Sequence, residues 1–122
     1  MLCDEQPEFG GSLLDDPAVR IDGALAADWI EQAVATLGAR SNVTLLPRTT
    51  AFGYFPHNMI GLNERITEHL AAPDPSLPRE RLWQVRAKRV VIAAGSIRAV
   101  FASRTWKSMF SSTICFTSAS VM

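Results

Sequence analysis

Leu2-Cys3-Asp4-Glu5-Gln6-Pro7-Glu8-Phe9-Gly10-Gly11 is a short apolar run that meets two acids, a proline and then a glycine pair. A buried strand ends this way. Pro7 has no amide to give a ladder, and a glycine pair turns the chain where other residues clash, so the backbone must leave the sheet in a loop. Beyond the loop, Leu25, Ile30, Ala33, Val34 and Leu37 recur at steps of three and four, which predicts a helix from Ala24 to Leu37. Asp22 is placed to cap its start, Asp28 and Glu31 suit the positive end of its dipole, and Gly38 suits its end. Val43-Thr44-Leu45-Leu46 then reads as a strand. Strand end, helix and strand make a βαβ unit.

The following segment has strand periodicity. Thr49 to Phe55 is rich in β-branched and aromatic residues, Pro56-His57-Asn58 supplies a turn, and Met59 to Arg65 reads as the returning strand of a hairpin. Residues 66 to 81 hold Pro73, Pro75 and Pro78 and read as a surface loop. Leu82 to Arg86 is a further strand, leading through Ala87-Lys88-Arg89 to Val90-Val91-Ile92-Ala93-Ala94-Gly95. That run is apolar on both faces, so it is expected as a central, parallel-type strand. The order predicts an α/β dinucleotide-binding domain with an inserted antiparallel ribbon.

The 122 residues suffice for one domain, and 48% hydrophobic with 20% charged residues matches a chain that builds a core. Net charge is zero, so nothing electrostatic draws the chain to nucleic acid or to an anionic membrane. The zero is an average of unlike parts. Residues 1 to 97 carry nine basic and twelve acidic side chains, net −3, whereas residues 98 to 122 carry Arg98, Arg104 and Lys107 with no acid, net +3. The second part also holds six of the ten serines and no glycine or proline, so residues 98 to 122 are expected to be an unrelated tail, disordered or frameshifted. Cys3 and Cys115 lack metal-ligand spacing, no apolar run reaches membrane-helix length, and the expected compartment is the reducing cytoplasm.

Three features bear on chemistry. An acid at a strand end can bind both hydroxyls of an adenosine ribose, and Asp4 has that position, although such an acid also simply opens a loop. Gly10 and Gly11 permit close approach of a ligand to the backbone, as well as an ordinary turn. Ala93, Ala94, Gly95 and Ser96 are small residues at the carboxyl end of a strand, where open α/β sheets bind ligands. His57 and His69 fall in a turn and a loop, where histidines rarely act as bases. Phe52, Tyr54 and Phe55 on a two-residue period cover a sheet face more naturally than they stack on nucleic-acid bases.

Together these features resemble the two-dinucleotide-binding-domain flavoproteins. The runs Cys3 to Leu13, Arg48-Thr49-Thr50-Ala51-Phe52-Gly53-Tyr54-Phe55 and Arg89 to Ile97 narrow the likeness to the α subunit of heterotetrameric sarcosine oxidases, over residues 1 to about 97. The resemblance implies a partial Rossmann-like FAD/NAD(P)-binding domain from an oxidoreductase that demethylates sarcosine oxidatively to glycine. It implies NAD as the cofactor here, with FAD possible in the superfamily, and the other subunits of a hetero-oligomer as partners. Carried over, Asp4 would take the ribose, Gly10 and Gly11 the ribose and phosphates, Thr50 and Ala51 the adenine, and Ala93, Ala94, Gly95 and Ser96 would close over the dinucleotide. No catalytic residue and no metal ligand is implied.

The family's glycine-rich phosphate turn lies upstream of the acid, and after Ile97 the sequence diverges, so the chain is expected to be a fragment. Two other readings share these motifs: a non-catalytic remnant that binds no dinucleotide, and a flavoprotein oxidoreductase acting on another amine or amino acid.

Overall fold

The computed structural model describes the backbone of residues 1–94 and 112–121 and the side chains of residues 1–93. Among the described residues the strands are β1 (Leu2–Cys3), β2 (Arg20–Ile21), β3 (Ala24–Leu25), β4 (Leu45–Leu46), β5 (Thr49–Phe55), β6 (Met59–Arg65), β7 (Glu80–Ala94) and β8 (Ser112–Val121), with one α-helix, α1 (Ala26–Gly38). The class is mixed α/β. Six strands form a sheet in the order β4-β1-β8-β7-β6-β5, and β2 with β3 forms a separate hairpin.

The opening unit is as the sequence predicts. β1 pairs in parallel with β4, Leu2 opposite Leu45 and Cys3 opposite Leu46, with α1 between them in the chain. The helix begins two residues later than its periodicity predicts, because Asp22 and Gly23 do something else. Both have positive φ, 49° and 85°, and they form the two-residue turn that folds β2 back on β3. Asp-Gly between short extended runs favours this turn strongly. Leu25 therefore occupies the cap position without a side-chain cap bond, and Asp28 alone supplies an acid to the first turn.

The ribbon spans the residues expected of it, Thr49–Phe55 and Met59–Arg65. Its three-residue connection places His57 and Asn58 at positive φ, and a bulge falls between Ala51 and Gly53. The last predicted strand differs. Val90 to Ala94 is the second half of one long antiparallel strand, β7, which pairs with β6 on one side and β8 on the other. Ala87-Lys88-Arg89 contains no proline, glycine or Asx residue to break the ladder, so the extended backbone runs through it. Val91 and Ile92 are more than half exposed, so their apolar faces are not covered within the described residues.

Alternation along β6 and β7 builds the core. Ile60 stands opposite Val85 and Leu62 opposite Trp83, and with Ala87 these face Cys3 and Leu46 from β1 and β4. Ile60, Leu62 and Val85 are at most 2% exposed, each contributing about 1.5–3 kcal/mol by burial. Leu82, on the other face, is 72% exposed. Below the core, Glu64 accepts hydrogen bonds from Trp83 Nε1 at 2.8 Å and Arg81 Nη1 at 3.2 Å. The expected tail contributes strand β8 to this sheet; residues 98–111 and 122 lie outside the described residues.

Candidate functional site

The residues of interest gather where β1 ends. Asp4 is 2% exposed and held from several sides. Its amide donates to the Leu46 carbonyl at 3.1 Å, its carbonyl accepts from the Thr49 amide at 2.7 Å, and its Oδ1 accepts from the Gln6 amide at 2.9 Å. That last bond is an Asx turn, which bends the chain out of the strand. The Gln6 carbonyl in turn accepts from the Arg48 amide at 2.9 Å. The loop after β1 is thus tied to the start of β5.

Glu5 follows on the same turn. Burial, first, and the neighbouring Asp4 carboxylate, second, raise its pKa above the ordinary glutamate value, while Arg65 pulls it back down. The Arg65 Nη2 also donates to the Glu5 carbonyl at 2.7 Å. Arg65 and Arg48 were not among the residues predicted for the site. They are remote in the chain: the pairing of β1 with β4 brings Arg48 to the loop, and the return of the ribbon brings Arg65.

The two glycines have different reasons to be glycine. Gly10 has φ 139°, and a Cβ there would lie 2.8 Å from Ile30 Cδ1 and 2.9 Å from Leu14 Cγ. Its bare α-carbon lets α1 pack onto the loop. Gly11 has φ 53°, and a Cβ there would meet nothing within 4 Å, so it alone of the pair presents open space. It begins the 3₁₀ turn Gly11–Leu14.

Thr50 and Ala51 lie on β5, opposite Asn63 and Leu62, beginning one residue beyond the Thr49 that bonds Asp4. Ala93 and Ala94 end β7, where Ala93 is exposed. Gly95 and Ser96 lie outside the described residues. Register relates the two strand ends: Ile114 of β8 stands opposite both Cys3 and Ile92, so Asp4 and Ala93 are each one step further on. They are separated by two inter-strand spacings, about 10 Å. The structure therefore brings Asp4, Gly10 and Gly11 to one loop, with Thr50 and Ala51 beside it and Ala93 across β8.

Other features lie apart. His57 and His69 are exposed and contribute nothing to this loop. An open groove of about 370 Å³ runs along α1, lined by Trp29, Gln32, Ala33, Thr36 and Leu37, none of them a predicted site residue. Among the described residues there is no cluster of His, Cys, Asp and Glu able to hold a metal ion, and no helix long and apolar enough to cross a membrane.

No family model matches the chain. Its sequence is similar to sarcosine oxidase subunit alpha from Corynebacterium sp. strain U-96, 43% identical over 97 residues, and to that of Corynebacterium sp. strain P-1, with the same identity and length. The subunit from Rhizobium meliloti strain 1021 is 43% identical over 96 residues. Each alignment covers 79% of this chain and 10% of the relative, so the chain spans about a tenth of the length of these proteins. Over that stretch, the chain belongs to the family of sarcosine oxidase α subunits.

Proposed function

We propose that residues 1–97 are part of a Rossmann-like NAD-binding domain of a sarcosine oxidase-like oxidoreductase that works as one subunit of a multi-subunit enzyme. The observation that carries the reading is Asp4: an acid at the end of a strand that pairs in parallel across a β-α-β unit, followed at once by an Asx turn and the Gly10-Gly11 loop. A carboxylate at that place accepts from both hydroxyls of an adenosine ribose. Gly11 has the open backbone that a phosphate-ribose approach requires, and β7 ends in the small residues Ala93 and Ala94.

An acid at a strand end followed by a glycine pair is the set of residue types that suits the adenosine half of a dinucleotide. The nicotinamide half, when bound, supplies hydride chemistry; these residues only hold and orient. None is placed to move a proton or attack a substrate, so oxidation of sarcosine would belong to the larger assembly. The carboxylate also sets a preference: a 2′-phosphate on the ribose would be repelled by Asp4, so NAD is favoured over NADP.

The test is calorimetric titration of the purified chain with NAD, beside Asp4→Asn. Asparagine keeps the oxygen that accepts from Gln6 and removes the charge. Binding that weakens by about tenfold or more in the variant supports the reading, since a hydrogen bond to a charged group contributes roughly 1.5–3 kcal/mol. Absence of binding by the parent chain contradicts it.

A further inference from the structure

The side of β5, β6 and β7 turned away from the core is apolar and flat. Ile60, Leu62 and Val85 point inward, so alternation turns Met59, Gly61 and Asn63 of β6 and Leu82, Gln84 and Arg86 of β7 outward. Gly61 and Gly53 stand opposite one another in this outer layer, and two phenylalanine rings lie where their side chains would be. A Cβ on Gly61 would meet the Phe52 ring at 2.5 Å, and one on Gly53 the Phe55 ring at 2.6 Å. The rings therefore lie flush on the backbone instead of standing off it. Phe52 is 60% exposed, Phe55 43% and Leu82 72%, and among the described residues nothing further lies over them.

Charge marks the two ends of this face. Glu80 lies four residues before Gln84 and Lys88 four residues after it. Both are on the outer side of β7: Glu80 accepts from Asn63 Nδ2 at 2.9 Å, and Lys88 alternates with the buried Ala87. Gln84, Gly61 and Gly53, with the Phe52 ring over Gly61, form the row midway between them. We propose that this face docks on the same face of a second copy of the chain, about a two-fold axis that crosses the strands at that middle row. Reversal about the row sets Phe52 against its counterpart, Leu82 against the aliphatic stem of Arg86, and Glu80 of each copy against Lys88 of the other. Arg65, opposite Glu80 in register, is engaged elsewhere, since its guanidinium donates to the Glu5 carbonyl at 2.7 Å. The apolar centre favours any flat apolar surface; the acid at one end and the base at the other select a reversed copy of the face itself. This inference stands apart from the dinucleotide reading.

The face also sets the strength. Three strands about 4.8 Å apart, over the nine residues from Glu80 to Lys88 at about 3.4 Å each, cover on the order of 400 Å² per copy. That is about half of a standard interface, so the dimer is weak, with monomer at about 1 µM and dimer as the concentration nears about 1 mM. Analytical ultracentrifugation of the full chain across that range tests this on the parent, Glu80→Lys and Lys88→Glu, both at exposed positions. Either substitution gives both ends the same charge. Each variant alone should therefore self-associate about tenfold more weakly than the parent, and an equimolar mixture of the two should restore the dimer, because every end then meets its opposite. Phe52→Asp, at the axis, should abolish it. A parent that stays monomeric overturns the proposal and leaves the face to a different chain. Variants that dimerise as the parent does, or a mixture no tighter than its components, overturn it as well, since the copies would then meet elsewhere.

Discussion

The Thr49 amide donates to the Asp4 carbonyl at 2.7 Å, joining the first residue of β5 to the residue that ends β1. These strands lie near opposite margins of the sheet order, so the bond means that the sheet curls until the ribbon returns to its starting edge. The same curl places Cys3 and Leu46 against Ile60, Leu62 and Val85. Fold and candidate site are thus held by one feature: the ribbon that closes the core also clamps the loop bearing Asp4.

The two glycines of that loop should respond differently to a methyl group. Gly10→Ala meets Ile30 and Leu14 at under 3 Å and adopts a backbone angle foreign to alanine, so it should destabilise by about 1–3 kcal/mol. Gly11→Ala meets open space and bears only the left-handed cost, about 1 kcal/mol. Urea unfolding of both variants measures the difference, and equal losses would show that Ile30 does not pack there.

Alternation along the paired strands β6 and β7 predicts a sharp contrast between opposite faces. Leu62→Ala, at a fully buried position, should cost about 2–5 kcal/mol. Leu82→Ala, at a site 72% exposed, should stay within about 0.5 kcal/mol of the parent. A one-residue slip of β6 would turn Leu62 outward and one of β7 would turn Leu82 inward, so thermal unfolding of the pair checks the facing of each strand.

Much of this was legible in the sequence because the signals are local. The ribbon strands Thr49–Phe55 and Met59–Arg65 follow from β-branched and aromatic residues bounded by Pro47 and Pro56, and α1 follows from its apolar period. The Asp22-Gly23 hairpin escaped because the same two residues also make a good helix start, and the choice depends on pairing between Arg20 and Leu25. β8 escaped because Ser112 to Val121 mixes serine and threonine with apolar residues and has no partner nearby in the chain; its pairing with β1 joins the two ends of the sequence. In the site, Asp4 and the glycines were visible as a strand end and a turn. Arg65, whose guanidinium reaches the Glu5 carbonyl from 60 residues away, had no sequence signal.

Glu5 should make stability depend on pH. Its folded pKa lies above the unfolded value, chiefly through burial, so the folded state binds more protons between the two values. The cost of the charged form is absent below the unfolded pKa and grows as pH rises through the folded one. Glu5→Gln removes that cost, so it should raise the melting temperature relative to the parent at about pH 7 and lose this advantage below about pH 3, where the carboxyl is protonated in both states. An advantage that is larger at the acid end would reverse the assignment.

β8 should contribute to stability. Ending the chain at Ile97 exposes the facing edges of β1 and β7, so the shortened protein should melt lower than the parent and associate at high concentration through those edges. Melting temperature with light scattering checks this, and an unchanged monomer would show that β8 adds nothing to the sheet.

The most direct test of the central claim is to map NAD onto the chain by amide chemical shifts, residue by residue, during a titration. The account predicts that the shifts concentrate at Asp4 to Gly11 and at Ala93 with its β8 neighbours, while the α1 groove around Trp29 stays still. Shifts centred on Trp29 and Thr36, or none at saturating NAD, would contradict it.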